Sequence, residues 1–127
     1  MILTKNFSKS EFDCKCGCKM PLDVLENVKE LAESLQIIRN KLRKSIKVNS
    51  GYRCTEHNRN VGGSPNSQHL LGKASDIVIS GKKPSETYDF INKLMGLDMI
   101  KVGGLGKYNT FTHYDIRGYN ARWDFSK

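Results

Sequence analysis

Residues 49–79 read NSGYRCTEHNRNVGGSPNSQHLLGKASDIVI, and the two ends of this stretch differ in kind from its middle. It opens on the last residues of IKVNS (46–50), a short run that alternates as a strand does. It closes on ASDIVI (74–79), a second strand. Between them lie 23 residues, Gly51 to Lys73, rich in Gly, Asn, Ser and Arg and without hydrophobic periodicity. A loop of that length inside a compact domain is uncommon and is usually functional. Asp76 is the sole charge within ASDIVI. A carboxylate among apolar strand residues is costly unless it has a partner. His69 lies seven residues before it, in the polar loop.

Working outward, Pro21 opens a helix, a position that proline favours. Leu22, Leu25, Val28, Leu31, Ala32, Leu35 and Ile38 recur at helical spacing and predict one apolar stripe, with the helix running to about residue 42. Residues 1–20 read as an irregular arm carrying a cysteine cluster, with a brief helical turn where Ser8 and Glu11 form a capping box. Downstream, Pro84 to Met95 predicts a second helix with Tyr88, Ile91 and Leu94 or Met95 inward, stopped by Gly96. Residues 99–102 and 110–116 read as two more strands joined by a Gly-rich turn. On the last of these, Phe111, His113 and Asp115 share a face by period-two alternation. The expected fold is α+β: a small, mainly antiparallel sheet with helices on one face.

The 127 residues fit a single domain, 1–127, and no linker or repeat divides them. Lys and Arg number 21 against 13 Asp and Glu, a formal charge of +8 that favours a polyanionic partner. Many of these cations crowd into KLRKSIK (41–47), at a predicted helix C-terminus, where they complement the helix dipole. No nucleic-acid reader motif accompanies them, so nucleic acid is not the expected partner. The longest apolar runs are only a few residues, which excludes membrane insertion through a helix. Cys14, Cys16, Cys18 and Cys54 leave three readings open: free thiols, a bridge from Cys54 to one of the other three, or a structural metal site. The C-x-C-x-C spacing is tighter than the C-x2-C of common zinc knuckles.

His69, Asp76 and His113 form an N/O/N set suited to Zn2+, with the fourth tetrahedral position open to water, as in a catalytic site. Bound zinc lowers the pKa of such a water towards ~7 and polarises a carbonyl. Gly72 and Ala74, between His69 and Asp76, are small enough for the backbone to fold closely round an ion.

Three blocks, SGYR (50–53), S-x-H-x-x-G-x-A-x-D (67–76) and F-x-H-x-D-x-R (111–117), occur in order. With the helix before them, they cover about four-fifths of the chain. They resemble the zinc D-alanyl-D-alanine carboxypeptidase family of metallopeptidases, in its short single-domain members, which include phage and bacterial cell-wall endopeptidases. The resemblance implies a fold like that of DD-peptidases and the hedgehog signalling domain, with zinc held by His69, Asp76 and His113. It implies that Arg53 binds substrate carboxylate or carbonyl groups and steadies the oxyanion, with Ser67 and Gln68 against the substrate. The substrate implied is a stem peptide of peptidoglycan, cut as a carboxypeptidase or an endopeptidase does.

The chain departs from the family at one point. The wider family carries a Glu, Asp or His three to six residues before the last zinc histidine, where this chain has Lys107, Tyr108, Asn109 and Thr110. Asp115 is the remaining candidate for the general base, or else the group that orients His113. His57 is a further candidate from the loop, and Arg117 is expected to neutralise Asp115 or meet substrate. The rival to a peptidase is a zinc-containing binding module of the same fold that does not catalyse. A monomer is expected. MILTKNFSKSEF (1–12) lacks the apolar core of a secretory signal. That predicts synthesis in the cytoplasm and action at the bacterial cell wall after phage- or effector-type release.

Overall fold

A computed structural model describes all residues, 1–127. The arm begins with a hairpin of β1 (Ile2–Thr4) and β2 (Phe7–Ser8), followed by a 3-10 turn at Lys9–Phe12. The expected capping box is present: the Ser8 backbone N–H donates to Glu11 Oε2 at 2.8 Å. The arm is therefore more ordered than its sequence suggested. Phe7 and Phe12 are buried against each other, and Gln36 of the first helix accepts from Thr4 and Asn6. Strands of three and two residues are too short for an alternation pattern to reveal.

Helix α1 (Leu22–Leu42) follows, with Pro21 as its N-cap. Its buried stripe runs from Val24 and Leu25 through Val28, Leu31 and Leu35 to Ile38. Leu22, expected on that stripe, is 81% exposed, while Val24 and Leu25 of the same turn are buried. Strands β3 (Ile46–Ser50) and β4 (Ala74–Ile79) lie where expected. Helix α3 spans Pro84–Gly96 with Pro84 in its first turn. It ends at Gly96, as expected, although Gly96 is not itself the left-handed residue. The reversal comes two residues later at Asp98, φ 57°, where the amides of Asp98 and Met99 close on the carbonyls of Met95 and Leu94.

The strand reading of residues 99–102 is displaced. The strand is β5 (Gly104–Lys107), so the glycines expected in a turn form the strand itself, and the turn falls at residues 108–111. Then come β6 (Thr112–Asp115) and β7 (Ala121–Asp124). The main sheet has five strands in the order β3-β4-β6-β5-β7. All neighbours are antiparallel except β5 and β7, which run parallel.

One face of this sheet makes the core. Ile77, Ile79, Leu105 and Tyr114 are almost wholly buried there and cluster with the stripes of α1 and α3, and Thr112 is buried on the same face. Alternation turns Asp76, His113 and Asp115 to the opposite face. An irregularity in β3 between Val48 and Ser50 breaks its parity: Val48 pairs with Ile77 of the core face, Ser50 with Asp76 of the other. Helices α1 and α3 and the site are thus on opposite sides of one sheet.

Candidate metal centre

The register places the site. Ser50, Asp76, His113, Gly106 and Trp123 form one row across the five strands as direct partners: Ser50 with Asp76, Asp76 with His113, His113 with Gly106, and Gly106 with Trp123. His69 reaches the row from the long segment between β3 and β4. That segment is not all loop. It contains a polar helix, α2 (Thr55–Asn60), and a 3-10 turn at Gln68–Leu71. Helix α2 buries only Asn58, so it has no apolar stripe to betray it. Ser67 caps the 3-10 turn, its Oγ accepting from the His69 N–H at 3.1 Å.

His69 is 3% exposed, and Asp76 and His113 are each 7% exposed. Asp76 Oδ1 lies 3.3 Å from His69 Nε2 and 3.1 Å from His113 Nδ1. The far nitrogen of each ring is fixed by another acceptor. His69 Nδ1 donates to the Gly51 carbonyl at 2.7 Å, and His113 Nε2 to Asp115 Oδ2 at 2.7 Å. A carbonyl only accepts, so His69 carries its proton on Nδ1 and turns the Nε2 lone pair towards Asp76. By the same reasoning neutral His113 turns the Nδ1 lone pair there. Two imidazole lone pairs and a carboxylate oxygen therefore converge, an arrangement that a cation satisfies. Anchoring the outer nitrogens on a carbonyl and a carboxylate is the usual support of metal-binding histidines. The residues present fit Zn2+.

The electrostatics agree. Burial opposes ionisation of Asp76, but its contacts with the His113 and His69 rings outweigh burial and hold the carboxyl well below the usual carboxylate range. Burial also works against a charged His113, yet its bonds to Asp115 and Asp76 reverse that and raise its pKa. The floor of the site calls for positive charge.

Arg53 reaches Asp76 from the other side. Its Nη2 donates to Asp76 Oδ2 at 3.2 Å, its Nε to Ser50 Oγ at 3.2 Å and its Nη1 to Asn58 Oδ1 at 3.2 Å. Asp76 thus has one oxygen held by Arg53 and the other turned to the histidines. Three of the five guanidinium N–H groups are used, leaving two.

Asp115 is fully buried. Burial opposes its ionisation, but bonds from His113 and Arg117 hold its pKa well below the usual range. It accepts from His113, from the Gly104 N–H at 2.8 Å, and from Arg117 through Nε at 2.9 Å and Nη2 at 2.7 Å. Every direction from which that carboxylate could act is taken by the protein, and it does not line the cleft. The placement is that of a group that orients His113, not of a base facing a substrate. His57, on α2, does not line the cleft either.

The three ligand candidates open into a cleft of about 740 Å3. Arg53, Ser67, Gln68 and Arg117 line it, so the expected substrate-facing residues are brought together. Sequence reasoning missed the aromatic wall of Tyr108, Phe111, Tyr119, Trp123 and Phe125. Tyr108 stacks on Phe111 with centroids 4.4 Å apart, and the Trp123 indole lies 5.0 Å from the His113 ring. Trp123 Nε1 donates to the Tyr108 hydroxyl at 2.9 Å. Asn58, which orients Arg53, was missed too. Room for Trp123 and for Asp115 is made by the two glycines of β5. A Cβ on Gly106 would come within 2.2 Å of Trp123 Nε1, and one on Gly104 within 2.3 Å of Asp115 Oδ2. These positions are empty so that site side chains from β6 and β7 can fill them.

A comparison with curated proteins finds no match. A profile described as Peptidase M15 matches residues 5–115, a span that runs from the arm through His69, Asp76 and His113 to Asp115. A buried His/Asp/His set with its lone pairs converging on the floor of a cleft is what a metallopeptidase of that kind requires, and the chain belongs to the Peptidase M15 family.

Proposed function

We propose that the chain is a zinc-dependent peptidase that hydrolyses stem peptides of bacterial peptidoglycan, acting as a monomer. The observation that carries this reading is the convergence of His69 Nε2, Asp76 Oδ1 and His113 Nδ1 on the floor of an open cleft. A zinc ion held by these atoms supplies a Lewis acid for a peptide carbonyl and an acidified water.

The chain's own residues do the rest. Arg53 and Arg117 line the cleft, each paired with a carboxylate, Arg53 with Asp76 and Arg117 with Asp115, so the surplus positive charge there would come from the ion. With that ion, the lining suits a short peptide bearing carboxylates. The two free N–H groups of Arg53 can take a substrate carboxylate or a developing oxyanion. The Tyr108 hydroxyl accepts from Trp123, so its own proton is free for a substrate acceptor. Asp115 holds the His113 ring in register. No helix is long and apolar enough to cross a membrane. The reading places the site of action at the cell wall, reached after release from the cell in which the protein is made, with the +8 charge drawing it to anionic wall polymers.

A second reading is a zinc-containing binding module that does not catalyse. The observation favouring it is Asp115, whose carboxylate is closed off from the cleft. Incubating purified protein with peptidoglycan, with zinc and with a chelator, separates the two. Zinc-dependent release of D-alanine identifies a carboxypeptidase, and release of cut stem peptides an endopeptidase. Retention on the wall without any product leaves the binding module.

A further inference from the structure

The four cysteines lie outside the cleft and take no part in the site above. Cys14, Cys16 and Cys18 come from the arm, and Cys54 is the N-cap of α2, next in sequence to Arg53. Their sulfurs all lie within 4.8 Å of one another. Cys14 Sγ is 3.3 Å from Cys16 Sγ and 3.9 Å from Cys54 Sγ, and Cys16 Sγ is 3.5 Å from Cys54 Sγ. Four thiolates at about 2.3 Å from one tetrahedral zinc stand about 3.8 Å apart, and these separations bracket that edge.

The local chain is shaped to gather them. The Gly17 N–H closes a turn on the Cys14 carbonyl at 2.9 Å, and Gly17 adopts φ 85°, which glycine takes freely. The chain therefore reverses between Cys16 and Cys18, and the tight C-x-C-x-C spacing delivers three sulfurs to one point. Two backbone N–H groups donate to the sulfurs: Cys54 N to Cys14 Sγ at 3.4 Å and His57 N to Cys54 Sγ at 3.5 Å. Such bonds support metal-bound thiolates. A tetrathiolate zinc site carries a net charge of −2, and Lys15 and Lys19 flank it in the same run. A disulfide uses two sulfurs and leaves two facing it, whereas one central ion engages all four.

We propose that Cys14, Cys16, Cys18 and Cys54 bind a second, structural zinc ion that clamps the arm to the start of the segment carrying Arg53 and His69. The contact it closes is already drawn: the Tyr52 N–H donates to the Phe12 carbonyl at 2.8 Å, two residues from each end of the clamp. A four-sulfur site has no open position, so this ion holds structure and does no chemistry. The inference stands apart from the peptidase reading.

The test is metal stoichiometry on the full chain, purified under reducing conditions and loaded with zinc or with cobalt. Two zinc ions per chain are expected, falling to one in His113→Ala and to one in Cys16→Ser. Cobalt in the wild type and in His113→Ala is expected to show strong sulfur-to-metal charge-transfer absorption, absent from Cys16→Ser. If Cys16→Ser fails to fold, the wild type still decides. Its four thiols are expected to react slowly with a thiol reagent until a strong chelator removes the zinc. A His113→Ala protein with no zinc, cobalt without the sulfur band, four immediately reactive thiols, or a mass short by the hydrogens of a disulfide would each overturn the proposal.

Discussion

Asp76 and His113 are direct partners across β4 and β6, and Asp76 Oδ1 lies 3.1 Å from His113 Nδ1. Two of the three ligand candidates are thereby fixed by strand register rather than by loop conformation. A one-residue slip would turn each to the core face, so the sheet that carries the hydrophobic core also guarantees the site.

Asp115 holds His113 and Arg117 from behind and does not itself line the cleft, which makes its role separable from that of a base. Asp115→Asn keeps the shape but weakens the hold on the ring. Zinc affinity is expected to fall about 10- to 100-fold, with activity restored by excess zinc. Competition with a fluorescent chelator measures the first and a zinc titration of activity the second. Activity that stays lost at saturating zinc would make Asp115 the base after all.

Arg53 joins Ser50, Asn58 and Asp76 with a planar fork that lysine cannot reproduce. Arg53→Lys is expected to lower kcat/KM by about 10- to 100-fold, the worth of one or two charge-assisted bonds, while zinc stoichiometry at the His/Asp site is kept. Steady-state kinetics beside elemental analysis checks both halves.

Gly106 and Trp123 compete for one volume. Gly106→Ala is expected to push the indole off His113, costing about 1–3 kcal/mol of stability. Trp123 is the only tryptophan, so its fluorescence reports the move, and denaturant unfolding reports the cost. An unchanged emission spectrum would mean that the indole does not rest where described.

These residues also mark what the sequence can and cannot disclose. The stripe of α1, the strands β3 and β4, and the facing of His113 with Asp115 follow from simple periods, and the ligand set stands out as polar groups in apolar or looping surroundings. Gly104 and Gly106 were read as a turn because glycine's local preference says so. Their actual purpose is room for side chains from β6 and β7, a tertiary demand with no local trace. Helix α2 and Asn58 escaped for the reverse reason, being held by polar contacts that leave no hydrophobic period. The cysteines were visible as residues, but only the Gly17 turn shows that all four meet.

The +8 charge gives a prediction about the wall. Attraction between exposed charges is screened over about 8 Å at physiological salt and about 3 Å at 1 M. Co-sedimentation with peptidoglycan carrying anionic polymers is expected to weaken steeply over that range. Binding unchanged at 1 M salt would show that shape and apolar contact hold the protein there.

If His69, Asp76 and His113 hold the zinc with which the protein cuts peptidoglycan peptides, removing one ligand must abolish the products. The decisive measurement is mass analysis of muropeptides after incubation with wild type and His113→Ala, each with zinc and with a chelator. New products are expected from the zinc-loaded wild type alone, and none from the variant although it stays folded. Products from His113→Ala lacking zinc at that site, or from the fully chelated wild type, would contradict that reading.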